Sequence, residues 1–320
     1  MDAHALMNDY GTRAIPFLFV IDFEMNTPLV IPLAQIDSSQ LLFDIEGINN
    51  IIGPFPQIPS HDLRMVKPVS MPHYKAAYDY CLQQLNLGNS YLINLTFPTK
   101  IETNLSLQQI FYLSKSKYRL WMRNNFVCFS PETFVKIRNG IISSCPMKGT
   151  IDAAMPYAEN LILNDTKETA EHNTIVDLIR NDLSMVAIQV RVEKFRYIDK
   201  IATNNKDLLQ VSSLISGHLP ADYASHIGDI LFNLLPAGSV SGAPKKKTLE
   251  IIQHAEQSPR GYYTGVFGYF DGCNMNTAVM IRFIEQSNGK MYYKSGGGIT
   301  TQSMLHKEYE ELLNKVYFSV

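Results

Sequence analysis

With 320 residues, 46% of them hydrophobic and 18% charged, the chain has the composition of a globular protein with a substantial core, in one large domain or two, and not that of a disordered chain. Its 28 basic and 30 acidic residues leave a formal net charge of -2, so no global field draws nucleic acid or an anionic membrane, and an anionic ligand needs a local set of cations. Cys81, Cys128, Cys145 and Cys273 form no CxxC pair, which excludes a zinc knuckle or redox dithiol of that kind and fits a reduced, cytoplasmic setting. Met1 to Arg13 lacks a basic segment followed by an apolar run, and no stretch approaches the roughly 20 apolar residues of a membrane span.

In chain order, Ile15 to Phe23 is an apolar, β-rich run that starts a sheet, and Leu29 to Ile31 and Leu41 to Ile45 are shorter strand candidates. Proline, glycine and serine punctuate Gly53 to Ser70 and mark it as an internal linker, dividing a short β-rich N-terminal portion, 1–70, from the remainder, 71–320. Pro72 to Leu87 places Tyr74, Ala77, Tyr78, Cys81 and Leu85 at helical spacings, with Gly88 as C-cap. Tyr91 to Phe97 reads as a strand, and Ser106 caps a short helix through Ser114. Tyr118 to Met122, Phe126 to Phe129 and the pair Thr133 to Arg138 and Ile141 to Ser144 follow at short intervals, the pattern of an antiparallel meander. Within it Asn139-Gly140 suits a two-residue turn, because both central positions need φ > 0.

Ser144-Cys145-Pro146-Met147-Lys148-Gly149-Thr150 then sets a lysine at the end of a hairpin strand, beside a proline that cannot donate to a ladder and a glycine that allows close approach. Taken alone, this is an ordinary solvated lysine. Asp165 or Thr166 opens a helix to about Leu183 whose apolar stripe is Ile175, Leu178, Ile179 and Leu183. Glu168 falls inside that stripe and Glu171 at its edge, a costly placement for a carboxylate unless a cation or donor meets it. Val190 to Ile198 and Leu208 to Ile215 read as strands, and Tyr223 to Leu235 as a helix. Pro236 to Lys245 is glycine-rich and basic but fits neither GxxxxGK[ST] nor GxSxG, and Pro244 suits the first turn of a helix to about Ala255. Arg260 to Phe270 and Asn276 to Glu285 read as strands joined through Asp271-Gly272, with Arg282 the one cation inside the second. Lys290 to Ser295 leads into Gly296-Gly297-Gly298, on its own a flexible turn. A final helix, Met304 to Phe318, buries Tyr309, Leu312, Leu313, Val316 and Tyr317. Glu308, Glu311 and Lys315 share its flank, and a Glu311/Lys315 surface pair accounts for that spacing without any ligand.

Seven separated strings together resemble the chorismate-utilising enzymes, with particular likeness to the branch that makes aminodeoxychorismate. They are SPETF (Ser130 to Phe134), PMKGT, KETAEH with IVDLIRNDL, PAGSVSGAPK, RGYYTGVFGYFDG, SGGGIT and EYEELLNK, spread from roughly Gly88 to the C-terminus. The resemblance implies an α/β fold of α+β type: a single body of two large antiparallel sheets packed on each other, outer helices, and an active site in a cleft, with 71–320 as the catalytic domain. Pattern alone would also have allowed a parallel doubly wound sheet.

Carried over position by position, the resemblance implies that Glu168, Glu171, Glu308 and Glu311 organise a Mg²⁺ site, consistent with that ion's preference for hard oxygen ligands. It implies that Gly149, Thr150, Tyr263, Arg282, Lys315 and the amides of Gly296, Gly297 and Gly298 hold chorismate, and that Glu132 is the general acid/base. Lys148 stands where anthranilate, isochorismate and salicylate synthases of the family usually have alanine, which implies a covalent lysine route to 4-amino-4-deoxychorismate, on the way to 4-aminobenzoate and folate. Leu92 replaces the lysine that activates water in isochorismate synthases, and Gln210 replaces a common histidine. Nothing resembles a glutaminase, so ammonia is expected from a separate glutamine amidotransferase. Anthranilate synthesis is the rival enzymatic reading, and a non-catalytic anion-binding protein the rival of another class.

Overall fold

The computed structural model describes residues 2–53, 55–60, 62–201 and 207–318. Helix α1 (Ala3–Thr12) precedes strands β1 (Phe17–Ile21), β2 (Leu29–Pro32), β3 (Leu41–Ile45), β4 (Ile48–Asn49) and β5 (Leu63–Lys67). Helix α2 (Met71–Asn86) leads into β6 (Leu92–Thr103), α3 (Leu107–Leu113), and then β7 (Tyr118–Met122), β8 (Phe126–Ser130), β9 (Thr133–Arg138), β10 (Ile141–Ser144) and β11 (Met147–Asp152). After α4 (Ala158–Asn164) and α5 (Thr166–Ser184) come the long strands β12 (Ile188–Ile201) and β13 (Leu208–His218). Next are α6 (Ile227–Leu234), α7 (Gly238–Ser241), β14 (Gly242–Ala243) and α8 (Lys245–Glu256). The chain closes with β15 (Val266–Phe270), β16 (Met275–Val279), β17 (Phe283–Ser287), β18 (Lys290–Ile299) and α9 (Leu305–Asn314).

Local chemistry explains the ends of these elements. The Ser70 and Ser106 hydroxyls accept the amides of His73 and Gln109, and Asp165 accepts the amide of Glu168, so three helices start where a side chain satisfies an orphan N–H. At Ser106 the bond is reciprocal, with Gln109 reaching back to the cap amide. Gly88 ends α2 at φ 74°, and Asn139-Gly140 turns β9 into β10 at φ 50° and 75°.

Among the described residues the strands make two nine-stranded antiparallel sheets flanked by helices, the expected α+β architecture. Contacts group the chain into two units. The first comprises Met1–Pro16, Glu132–Ser239 and Phe270–Thr277; the second comprises Phe17–Pro131, Val240–Tyr269 and Ala278–Val320. The linker expected over Gly53 to Ser70 does not mark a unit boundary, and it contains β5, which pairs with β6. In the first unit the strand run is β11-β13-β10-β9-β16, with β12 on the other side of β13. In the second, β15-β1-β2 form one run, and β14-β6-β18-β17-β8-β7-β3-β4, with β5 on β6, form a complete sheet. Its core holds Phe43, Tyr118, Phe126, Phe267 and Phe283 in one cluster and Tyr74, Cys81, Leu95, Ile252 and Leu312 in another, under α2, α8 and α9.

Several sequence expectations are corrected. The meander breaks after β8, because β7 and β8 belong to one sheet while β9 and β10 belong to the other. Arg260 to Thr264 form no strand, so β15 begins only at Val266. The single strand expected over Asn276 to Glu285 is two strands in different sheets, and Arg282 occupies the break between them at φ 52°. Gly296 to Gly298 are no turn: they lie inside β18, opposite Thr96, Leu95 and Asn94 of β6. Lys148 sits within β11, not at a hairpin end. The last helix stops at Asn314, leaving Tyr317 43% exposed.

Candidate active site

In the first unit the candidate residues meet where α5 crosses β11. Among the described residues β11 pairs with β13 alone, Lys148 opposite Val211 and Thr150 opposite Gln210, so Gly149 is an extra, bulged residue. Its φ of 71° suits glycine, and a Cβ there would stand 3.4 Å from Glu168 Oε2 and from Ile162 Cγ1. The bulge therefore keeps space in front of the first glutamate. One turn on, Glu171 is buried, and its Oε2 accepts from Lys148 Nζ at 3.4 Å. A half-buried lysine meeting a buried carboxylate answers the cost that the sequence pattern raised for acids on an apolar stripe. Thr150 is exposed on the edge strand. Glu132, just before β9, accepts from Ser239 Oγ at 2.5 Å and lines a small cavity with Ser144 and Pro146, the segment leading to Lys148.

His172 escaped the sequence analysis. It is 1% exposed, and its Nε2 lies 2.6 Å from Ser213 Oγ. Burial, then the charges of Arg196 and Lys148, push its pKa down to about 4, so the ring is neutral at pH 7. Its spacing from Ile175 and Val176, i+3 and i+4, is the signal that could have placed it on the buried face.

In the second unit the candidates meet where α9 crosses β18. Glu308 is 2% exposed and Glu311 half-buried; a Cβ on Gly297 would stand 3.7 Å from Glu308 Oε2 and 3.4 Å from Glu311 Oε1. Lys315 Nζ donates to Gly296 O at 2.7 Å and pairs with Glu311 Oε1 at 2.7 Å. The buried Tyr74 phenol is pushed well above its usual range, first by burial and then by the charges of Glu308 and Glu311. β17 begins at Phe283, opposite Lys294, so among the described residues β18 pairs from Ser295 onward with β6 alone, and its other edge carries no strand ladder there. Gly298 has a different reason to lack a side chain, since a Cβ would lie 3.0 Å from Leu92 Cδ1.

Arg282 Nε donates to Tyr317 Oη at 3.2 Å, and its guanidinium stacks 5.1 Å from that ring. Tyr263 is 4% exposed, and burial raises its phenol. It lines a cavity of about 260 Å³ whose wall charges already pair, Arg260 with Glu256 at 2.6 Å and Lys294 with Glu285 at 2.7 Å.

Each unit thus carries two glutamates, three residues apart on a helix, in front of a glycine that leaves them room. A pair of hard carboxylate oxygens suits Mg²⁺, and in each unit its own two glutamates, Glu168 with Glu171 or Glu308 with Glu311, are the side chains that would contact such an ion. Within either unit no three His, Cys, Asp or Glu side chains gather at metal-holding distance among the described residues.

The chorismate binding enzyme family matches residues 53–320. The chain belongs to that family. It is 52% identical over 314 residues to an uncharacterized PabA-like protein of Haemophilus influenzae, spanning 98% of this chain and 95% of the relative. It is 35% identical to an anthranilate synthase component 1 from Acetivibrio thermocellus over 73% of this chain, and 31% identical to an aminodeoxychorismate synthase component 1 from Salmonella typhimurium over 72%. The chain spans about half the length of those two synthases, 49% and 53%. The menaquinone-specific isochorismate synthase of Escherichia coli superposes with a TM-score of 0.75 at 16% identity, over 98% of this chain and 80% of that one, which shows the shared fold. Leu92, at the start of β6, is buried, and its side chain cannot take a proton from water.

Proposed function

We propose that the chain is the chorismate-aminating subunit of an aminodeoxychorismate synthase, acting in the cytoplasm and fed ammonia by a glutamine amidotransferase. The observation that carries this reading is the Lys148 amine, held half-buried by the bulge at Gly149 and met by Glu171 at 3.4 Å. That separation is long for an ion pair, so the amine is placed without being tied down.

In the proposed reaction the neutral amine of Lys148 adds at ring C2, the two conjugated ring double bonds each shift by one position, and the C4 hydroxyl leaves as water with the proton of Glu132. Ammonia then adds at C4, both double bonds shift back, and the C2–N bond to Lys148 breaks. Chorismate and ammonia become 4-amino-4-deoxychorismate and water, and the enolpyruvyl group stays. Ser239 fixes the Glu132 carboxyl for its proton transfer. Arg282, Lys315, Tyr263 and the amides of Gly296 to Gly298 orient the two substrate carboxylates, with Gly149 and Thr150 beside the nucleophile. Mg²⁺, held by the four glutamates, would supply countercharge to the ring carboxylate.

Anthranilate synthesis is the second reading, favoured by the 35% identity to an anthranilate synthase component 1. Incubation with chorismate, Mg²⁺ and ammonium separates the two by mass. Aminodeoxychorismate without pyruvate supports the proposal, and anthranilate with stoichiometric pyruvate rejects it.

A further inference from the structure

The chemistry proposed above gives no task to His172, buried next to Glu171 on α5. His172 follows Glu171 on α5 and points its Nε2 at Ser213 Oγ on β13, 2.6 Å away. The same hydroxyl accepts the backbone N–H of Arg196 at 2.9 Å, where β12 bulges at φ 47°. The amide of Ser213 in turn donates to Pro146 O at 3.1 Å, two residues before Lys148. One imidazole–hydroxyl contact therefore joins α5 to β13, to the bulge of β12 and to the start of β11.

The rest of the buried face of α5 is mostly apolar, with Ile175, Val176, Leu178 and Leu183 there, and carries one further buried acid, Asp182, near its C-terminal end. Apolar contacts hold a helix against a sheet but are non-directional and tolerate sliding. A hydrogen bond is directional, and a slip of one residue moves a helix by about 1.5 Å, enough to break the 3.4 Å approach of Lys148 to Glu171. Packing alone would also be met by leucine, whereas this imidazole leaves Nδ1 buried with no partner among the described residues. An unmatched ring nitrogen is costly to keep unless the other nitrogen does something leucine cannot.

We propose that His172 is a positioning residue for the amine of Lys148: through Ser213 it sets the depth of α5 over β11 and so the reach of Glu171 to that amine. The role rests on the amination reading for its kinetic consequence but not for its geometry.

The test compares His172→Leu, which keeps the volume, His172→Gln, whose amide nitrogen can take the place of Nε2, and Ser213→Ala, which removes the acceptor. For each, kcat and KM for chorismate are measured with Mg²⁺ and ammonium, alongside the thermal midpoint. The rate at which trinitrobenzenesulfonate modifies Lys148, located by peptide mass, is measured without substrate. The expected result is a fall in kcat of about tenfold or more in His172→Leu and Ser213→Ala, KM within about twofold, and recovery of most of kcat in His172→Gln. Lys148 labelling should change several-fold in the first two and return towards the wild-type rate in the third. Unchanged labelling in both His172→Leu and Ser213→Ala, or equal losses in all three that follow the thermal midpoint, would overturn the proposal. If His172→Leu is insoluble, Ser213→Ala decides, since it deletes a single oxygen. If the wild-type enzyme releases anthranilate or leaves chorismate untouched, the amination reading fails, while the labelling comparison still decides the role of His172.

Discussion

The β11/α5 and β18/α9 crossings use the same parts: a strand glycine, two glutamates three apart on a helix, and a lysine paired to the second glutamate. They differ in where the lysine comes from and how tightly it is held. Lys315 stands on the helix, i+4 from Glu311, and is fixed twice at 2.7 Å, to that carboxylate and to a carbonyl of the strand. Lys148 stands on the strand, in a bulge, and approaches its carboxylate only to 3.4 Å. An ammonium held by two short bonds is fixed in place, whereas the longer approach leaves the Lys148 amine freer to reorient, which is the contrast the proposed roles of the two lysines rest on. The glycines differ as well, since Gly149 is required by its φ of 71° and Gly297 only by the carboxylates in front of it.

Exchanging the two lysines' fates gives the largest expected effect. Lys148→Ala should lower amination by about 10²- to 10⁴-fold, the range for removing a group that takes part in the chemistry. Lys315→Ala should instead act mainly on KM for chorismate, and the reverse outcome in steady-state kinetics would invert the comparison. Next come the carboxylates. Chelation of Mg²⁺ should abolish turnover, and Glu171→Gln or Glu308→Gln should each raise the half-saturating Mg²⁺ concentration roughly 10- to 100-fold in a titration. If neither does so, these carboxylates do not hold the metal.

The glycines sharpen the contrast further. Gly149→Ala places an L-residue at positive φ and should cost about 1 kcal/mol or more in denaturant unfolding, whereas Gly297→Ala should leave stability nearly unchanged and weaken Mg²⁺ and chorismate binding. The smallest effect is a pH slope confined to the first crossing. Because the pKa of His172 falls to about 4 on folding from 6.5, the unfolded chain binds the extra proton between those values. Stability from the neutral ring is full above pH 6.5 and is lost as pH falls towards 4. Urea midpoints of the wild type should drop more across that window than those of His172→Gln.

What the sequence allowed and what it hid follow one division. Features set within a few residues were legible: the helix starts at Ser106 and Asp165, and the Asn139-Gly140 turn, depend on groups that are neighbours in the chain. The carboxylates on the α5 stripe were also legible, because a charge on an apolar face is anomalous by itself. Features set by distant pairing were not. Nothing local says that the run from Asn276 to Glu285 changes sheets at Arg282, nor that Gly296 to Gly298 extend a strand, since both follow from where β6, β8 and β9 run. Helix α1 was missed because its N-cap position, Asp2, makes no side-chain cap bond, and what fits it against α6 is close approach at Gly11 and the Asn8 side chain accepting the Gly228 amide. The bulge at Gly149 needed the register of β13, and with it the true surroundings of Lys148.

The central claim is that Lys148 forms and then breaks a bond to the substrate ring. The most direct measurement is intact-protein and peptide mass spectrometry of the enzyme quenched during turnover of chorismate with Mg²⁺ and limiting ammonium. The account predicts an adduct of chorismate less one water on the peptide containing Lys148, which disappears when ammonium is added in excess and never forms in Lys148→Ala. Steady amination with no adduct on that peptide, and at the same rate in Lys148→Ala, would contradict it.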